Sequence, residues 1–179
     1  RIADYLFESN ALSLMIQPMC FTGSAESFDI SRRFTTADAV RRLEESRYIG
    51  KGDFTPLPCS HYSCFALSYY VSSGEGEYRS LLEFLGKDKF LDTISNNTLP
   101  GLDYAGISIM KERLYELWSA ADTSNLSENI LKRIQSTIRE LSSCGYDRKM
   151  ALSIGMKNMK AVFIHHFMDS YNFEFGRVI

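Results

Sequence analysis

The densest group of residues able to do chemistry is a short run of cysteine and histidine in the first half of the chain. It reads Pro58-Cys59-Ser60-His61-Tyr62-Ser63-Cys64. Thiolate and imidazole are the ligands that zinc and iron–sulfur centres use, and the run follows a proline-fixed extended segment. No zinc-finger template has this spacing. The run therefore predicts part of a metal site formed by Cys59, Cys64 and His61, or, alternatively, two buried core cysteines beside a surface histidine.

A pocket is predicted where two β-strands end. His165, His166 and Asp169 follow an apolar run near the C-terminus, and Gln17 and Cys20 follow another near the N-terminus. If the strands are parallel, their C-terminal ends meet on one face, where α/β barrels place their sites. Neighbouring strand residues point to opposite faces, so only one histidine enters the pocket, and strand alternation favours His165. The alternative is one packed histidine and one solvated histidine without a site.

The apolar pattern predicts an α/β, helix-rich fold that positions these residues. Strands are expected at about 11–17 and about 160–167, as parallel members of a partial barrel-like sheet. A helical lobe of about five to six helices is expected between them, at about 36–157. Within it, residues 61–71 are apolar nearly all round, which predicts a central buried helix. The strongest helical stripe is formed by Ile130, Ile134, Ile138 and Leu141.

Composition limits the classes of function. The chain has 179 residues, enough for one domain, and a net charge of -2, which gives no field to attract nucleic acid. No run of about 20 apolar residues and no signal peptide is present, and four cysteines do not make a disulfide framework, so we expect a cytoplasmic protein. The first residue is Arg1 and the last is Ile179, after an apolar, strand-like ending, which leads us to expect a piece of a longer chain.

Three stretches together resemble a known family over nearly the whole chain. The sequence 53–64 (DFTPLPCSHYSC), preceded by 15–19 (MIQPM) and followed by 163–173 (FIHHFMDSYNF), is similar to the C-terminal portion of radical SAM proteins of the tetraether lipid synthase type. The resemblance implies that Cys59 and Cys64 ligate an auxiliary iron–sulfur cluster, of the 4Fe–4S type. It also implies an N-terminal radical SAM domain in the same protein, which binds S-adenosylmethionine.

The resemblance implies a function in lipid biosynthesis. This region would hold the auxiliary cluster and enclose a lipid or another apolar substrate during radical carbon–carbon bond formation or a related modification. The chain departs from the family pattern because it has no Cys-x3-Cys-x2-Cys motif and stops before further cysteine-containing segments. By itself it would not generate a radical. The sequence does not indicate peripheral membrane association. The alternative function is a helical binding or scaffold domain with structural cysteine and histidine or a simple zinc site.

Overall fold

The computed structural model describes residues 2–57, 63–74, 76–94, 108, 111, 112, 114, 115, 119, 128–145, 147–169 and 171. In these ranges the chain forms the elements α1 (Ile2–Glu8), β1 (Ser13–Ile16), α2 (Thr36–Leu43), β2 (Thr55–Pro56), β3 (Phe65–Gly74), β4 (Glu77–Ser80), α3 (Leu81–Ile94), α4 (Glu128–Ser143), α5 (Arg148–Asn158) and β5 (Met159–His165). Two short 3-10 turns, Gly23–Ser27 and Ile30–Arg32, lie between β1 and α2.

The strands form one five-stranded mixed sheet in the order β1-β5-β3-β2, with β4 also paired to β3. The strands β1 and β5 are parallel, with Ile16 opposite Ile164, while β3 is antiparallel to β5, β2 and β4. Because β5 occupies one edge of β3 along residues 65–71, β2 and β4 share the other edge. The predicted α/β class and the parallel pairing of the two predicted strands are confirmed.

The predicted helix at 61–71 is wrong, because the described part of this segment belongs to the long strand β3. Leu67 and Val71 face one layer of helices, whereas Ala66 and Tyr70 face the other. A central strand that is buried on both faces has no polar side, so its sequence looks apolar all round and lacks the alternation of a half-buried strand. Periodicity does not distinguish such a strand from a buried helix.

Helices cover both faces of the sheet. On the α1–α2 face, Leu6, Phe7 and Leu43 pack against Val162 and Ile164. On the α3–α5 face, the helices α3, α4 and α5 cover Leu67, Val71, Ala161 and Phe163. The predicted stripe of α4 is confirmed, since its four apolar residues are all buried in that layer. The spacing of Ile107, Met110 and Leu114 also predicts a helix around 107–121, which lies mostly outside the described residues.

Local sequence explains where the helices near the site begin. Thr35 and Asp38 form a capping box in which the Thr35 hydroxyl accepts from the Asp38 amide and the Asp38 carboxylate accepts from the Thr35 amide. Asp147 caps α5 by accepting from the amides of Lys149 and Met150. Gly86 has a φ of 69° and breaks α3. Within the described ranges, every helix is too short or too polar to cross a membrane.

Candidate functional site

The candidate site lies at the end of the sheet where β1 and β5 finish and β3 begins. Since β1 and β5 are parallel, the segments that follow Ile16 and His165 leave the sheet at the same end. Cys64 precedes β3 at this end, and its carbonyl accepts a hydrogen bond from the amide of His166 at 2.7 Å. The pairing of β3 with β5 thus continues one residue beyond the strands and fixes Cys64 beside His166.

A buried carboxylate joins the segments at this end. The Asp169 side chain is fully buried, and its Oδ2 accepts from the amide of Phe21 at 3.1 Å. Its Oδ1 accepts from Arg33 Nη2 at 3.2 Å and from the amide of Tyr171 at 3.0 Å. We call Asp169, Arg33 and the Phe21 amide the carboxylate clip, because together they tie the segment after β1 to the segment after β5.

The clip places a charged pair beside the sheet, and the hydrogen bonds decide the protonation state of the acid. Burial by itself would raise the pKa of Asp169, but the amides of Phe21 and Tyr171 and the Arg33 guanidinium together hold that pKa below its ordinary value. Asp169 is therefore ionised at neutral pH. Its negative charge is matched by Arg33, whose side chain is 18% exposed.

Two cysteine thiols lie near the clip. Cys20 is half-buried, and its Sγ donates to the carbonyl of Phe167 at 3.4 Å. Cys64 is buried, and burial raises the pKa of its thiol; the negative charge of Asp169 raises it further. Cys144 lies elsewhere, in the core of the α3–α5 face.

The two adjacent histidines point to different places. His166 is buried on the α1–α2 side and lines a groove there, and burial lowers its pKa, with the Arg33 charge lowering it further. Asp169 and a hydrogen bond to the Met19 backbone act in the opposite direction. The ring of His165 lies between those of Phe65 and Phe167, at centroid distances of 5.4 and 4.4 Å. His166 therefore occupies the position beside the clip that the sequence analysis gives to His165.

The remaining residues that the sequence predicts for a site are Gln17, Cys59 and His61. Gln17 is exposed, and its amide contacts Met15 Sδ at 3.8 Å rather than the clip. Cys59 and His61 lie outside the described residues. Across the described ranges no three His, Cys, Asp or Glu side chains converge as a metal-binding group. The described thiols at this end of the sheet are those of Cys20 and Cys64, and Cys59 lies five positions before Cys64 in sequence.

A groove of about 530 Å³ begins at the site and runs between α2 and the β2–β3 pair. Its walls include Val40, Phe54 and Ala66, and His166 and Arg33 also line it. The hydroxyl of Thr36 on α2 donates to the carbonyl of Ser63 at 2.7 Å, which anchors the start of the helix next to Cys64. The site is thereby connected to an apolar space of a size typical for small-molecule sites.

Sequence reasoning did not identify Arg33 as a site residue, and it favoured His165 over His166. Arg33 follows Arg32 in a loop without periodicity, and only the fold shows that Arg33 alone meets Asp169. His165 and His166 are adjacent in sequence, and helices cover both faces of the sheet, so strand alternation does not by itself choose between them. In comparisons with known proteins, neither a protein-family model nor a curated protein matches the chain.

Proposed function

We propose that this chain is the auxiliary-cluster-binding and substrate-enclosing part of a radical SAM enzyme that acts on a lipid or another apolar substrate. The observation that carries the proposal is that Cys64 and Cys20 bond to neighbouring residues at the end of β5: the Cys64 carbonyl accepts from the His166 amide, and the Cys20 thiol donates to the Phe167 carbonyl. Cys64 also belongs to the cysteine- and histidine-containing run of the family resemblance. The N-terminal radical SAM domain and S-adenosylmethionine are part of the proposal, as is a cytoplasmic location, which suits free thiols.

The donor set fits an iron–sulfur cluster better than a hard cation. Thiolates are the usual ligands of such clusters, and the described residues at the sheet end contribute thiols, with Cys59 as the nearest further thiol in sequence. When bound, the cluster would supply one-electron redox chemistry. The chain's own contribution is to hold the ligands, to keep the Asp169 charge matched by Arg33, and to shield the site under α2.

Apolar side chains around the site support an apolar substrate. Met19, Phe167, Met168 and Tyr171 are all exposed, and they lie on the two segments that the carboxylate clip joins. The charges of Arg33 and Asp169 on these segments are paired with each other. An apolar molecule placed against this end would remove these side chains from water, which is favourable at roughly 25 cal/mol per Å².

A specific observation also favours the alternative of a binding or scaffold domain with structural cysteines. Cys64 is buried, and burial raises the pKa of its thiol, which is the behaviour of an inert core cysteine. In that case Cys64 would only fill space at the sheet end, and Cys20 would only hold the Phe167 carbonyl.

Anaerobic purification of the intact protein, followed by iron and sulfide analysis, separates the two functions. We expect bound iron and sulfide with a broad visible absorption band. Cys59→Ala and Cys64→Ala should each abolish the auxiliary cluster, because a methyl group cannot replace a thiolate ligand. Cys144→Ala is the matched control and should keep the cluster. A colourless, iron-free and fully folded wild-type protein would refute the proposal and favour the scaffold domain.

A further inference from the structure

The strand β1 is an open edge of the sheet. It pairs with β5 on one side, and among the described residues no strand pairs with its other side. The amide of Ala161 donates to the carbonyl of Leu12, so the backbone groups of Leu12, and by alternation those of Leu14, are directed at β5. The N–H and C=O groups of Ser13 and Met15 are therefore directed away from the sheet. They form a row of donors and acceptors to which another strand can bind.

The two faces of β1 are covered to different extents. Leu14 packs into the apolar layer of the α1–α2 face. On the opposite face Met15 lies beside Phe163 of β5, but its side chain is still 49% exposed. Ser13 is exposed on the same face. A strand added to this edge would therefore cover apolar surface as well as complete backbone hydrogen bonds.

The segment around β1 has no charge to keep a second strand away. Open edges are commonly protected by charged side chains, by a proline within the strand or by a bulge. Here no residue from Ser9 to Ala25 is charged, and Pro18 comes only after the strand has ended. In a symmetric contact the same surface of both copies meets itself, so any charge there would repel its own copy. Two β1 strands can approach without that repulsion.

The helix before β1 adds apolar surface to the edge. A stable dimer needs roughly 1,200 Å² or more of buried surface, which is more than one short strand pair supplies. The helix α1 contacts β1, and its Ile2 and Tyr5 are 60% and 69% exposed. Asp4 accepts from the Ser46 hydroxyl, and Ile2 lies on the opposite side of the helix from that contact. These side chains make a dimer of micromolar affinity the expectation.

We propose that β1 is the interface of a symmetric dimer, in which the β1 strands of two copies pair antiparallel and join their sheets into one. The two-fold axis passes beside Leu14, so that Leu14 lies opposite Leu14 of the second copy. Ser13 of each copy then exchanges hydrogen bonds with Met15 of the other. This register uses the outward N–H and C=O groups of both residues. It does not depend on the proposed function.

Sedimentation velocity of the intact protein over a range of concentrations tests the dimer. Met15→Pro removes only an N–H that points away from β5, so the sheet keeps its own hydrogen bonds. We expect it to raise the dissociation constant of the dimer at least about tenfold, because both copies lose a donor at the interface. Met15→Lys should also weaken the dimer, since it puts a charge on the edge. Met150→Lys is the matched control, because Met150 is 47% exposed on α5, and its dimer should match wild type.

Engineered cysteines test the register. In the proposed pairing the two Leu14 residues form a non-hydrogen-bonded pair with Cα atoms about 4.5 Å apart, which a disulfide can span. Under mild oxidation Leu14→Cys should therefore give a covalent dimer in non-reducing electrophoresis. Ile16→Cys is the control, since in this register Ile16 lies opposite Leu12 of the second copy, and it should stay monomeric on the gel. Circular dichroism confirms that every variant is folded.

The outcomes decide between occupants of the edge. A wild-type protein that stays monomeric well above micromolar concentration would refute the dimer. Hydrogen exchange at the Met15 amide would then show whether another part of the chain protects the edge or water does. A dimer whose affinity is unchanged in folded Met15→Pro and Met15→Lys variants would place the interface elsewhere and overturn the proposal. Equal disulfide formation by Leu14→Cys and Ile16→Cys would rule out the register.

Discussion

The carboxylate clip predicts that Asp169→Asn is unusually destabilising for such a small change. The substitution keeps the size of the side chain but leaves one acceptor oxygen and adds an NH₂ group. If the oxygen stays with Arg33 and Tyr171, the new NH₂ faces the amide of Phe21, which loses its acceptor. The buried site then contains two opposed donors, and Arg33 has no counter-charge.

The size of the effect follows from these contacts. A hydrogen bond to a charged group contributes about 1.5–3 kcal/mol, and a buried donor left without a partner costs about 1–3 kcal/mol. Removing one member of a buried ion pair costs about 3–5 kcal/mol, but Arg33 is 18% exposed and can be partly hydrated. We therefore expect the free energy of unfolding to fall by about 3 kcal/mol.

Urea denaturation of the iron-free protein at neutral pH measures this change. The matched control is Asp147→Asn, which also replaces a carboxylate that accepts two amides, but at an exposed helix N-cap where asparagine is as good as aspartate. Its cost should stay below about 0.5 kcal/mol. Equal costs for the two substitutions would refute the view that burial and the Arg33 pair make the clip strong.

The contribution of the carboxylate clip to stability should also depend on pH, in a direction that follows from the pKa of Asp169. The pKa of Asp169 in the folded protein is below its ordinary value of 3.8, so the folded state binds fewer protons than the unfolded state near that pH. The contribution of the clip is present at neutral pH and is lost as the pH falls below 3.8 toward the pKa of the folded state. The difference in stability between wild type and Asp169→Asn should shrink over that range.

Three other changes test the packing around the sheet. Lys160→Met should lower the free energy of unfolding in urea by about 3 kcal/mol, because the buried Lys160 ammonium donates to three backbone carbonyls, those of Ser9, Ala11 and Met156. The control is Lys157→Met at an exposed position, which should change the free energy of unfolding by less than about 0.5 kcal/mol. Thr55→Val should raise the melting temperature, since the buried Thr55 hydroxyl has no hydrogen-bond partner in the described part of the chain; a lower melting temperature would show that the hydroxyl is bonded. Burial lowers the pKa of His166 below 6.5, so its imidazole should titrate by NMR at a lower pH than a model histidine. The stability that the neutral imidazole contributes should be lost as the pH falls below 6.5, because the unfolded state then binds more protons. A titration midpoint at the ordinary value would contradict the burial of His166.

The strands β1 and β5 are predictable from sequence because each is a short apolar run with β-branched or aromatic residues. The run 161–164 is Ala-Val-Phe-Ile, and Pro18 ends the run that contains residues 13–16. Their parallel pairing follows from the long crossover between them. The strand β3 is not predictable in this way, because helices bury both of its faces and remove the polar alternation.

The error at β3 changes the physical setting of the cysteine-containing run. A helix beginning near His61 would place Cys64 at a helix start, where amide groups favour thiolate. In the fold, Cys64 instead immediately precedes the buried strand β3, and burial raises the pKa of its thiol. A metal ion would therefore have to displace the proton itself, and its positive charge is then the main factor that makes the thiolate stable.

The sheet topology explains why a site forms from residues that are far apart in sequence. At this end β1 and β5 finish while β3 begins, so three chain segments emerge together with backbone groups that the sheet does not pair. The Cys64 carbonyl is satisfied by His166, and the amides of Phe21 and Tyr171 are satisfied by Asp169. Because one carboxylate completes the hydrogen bonding of two segments, stability and site geometry depend on the same group.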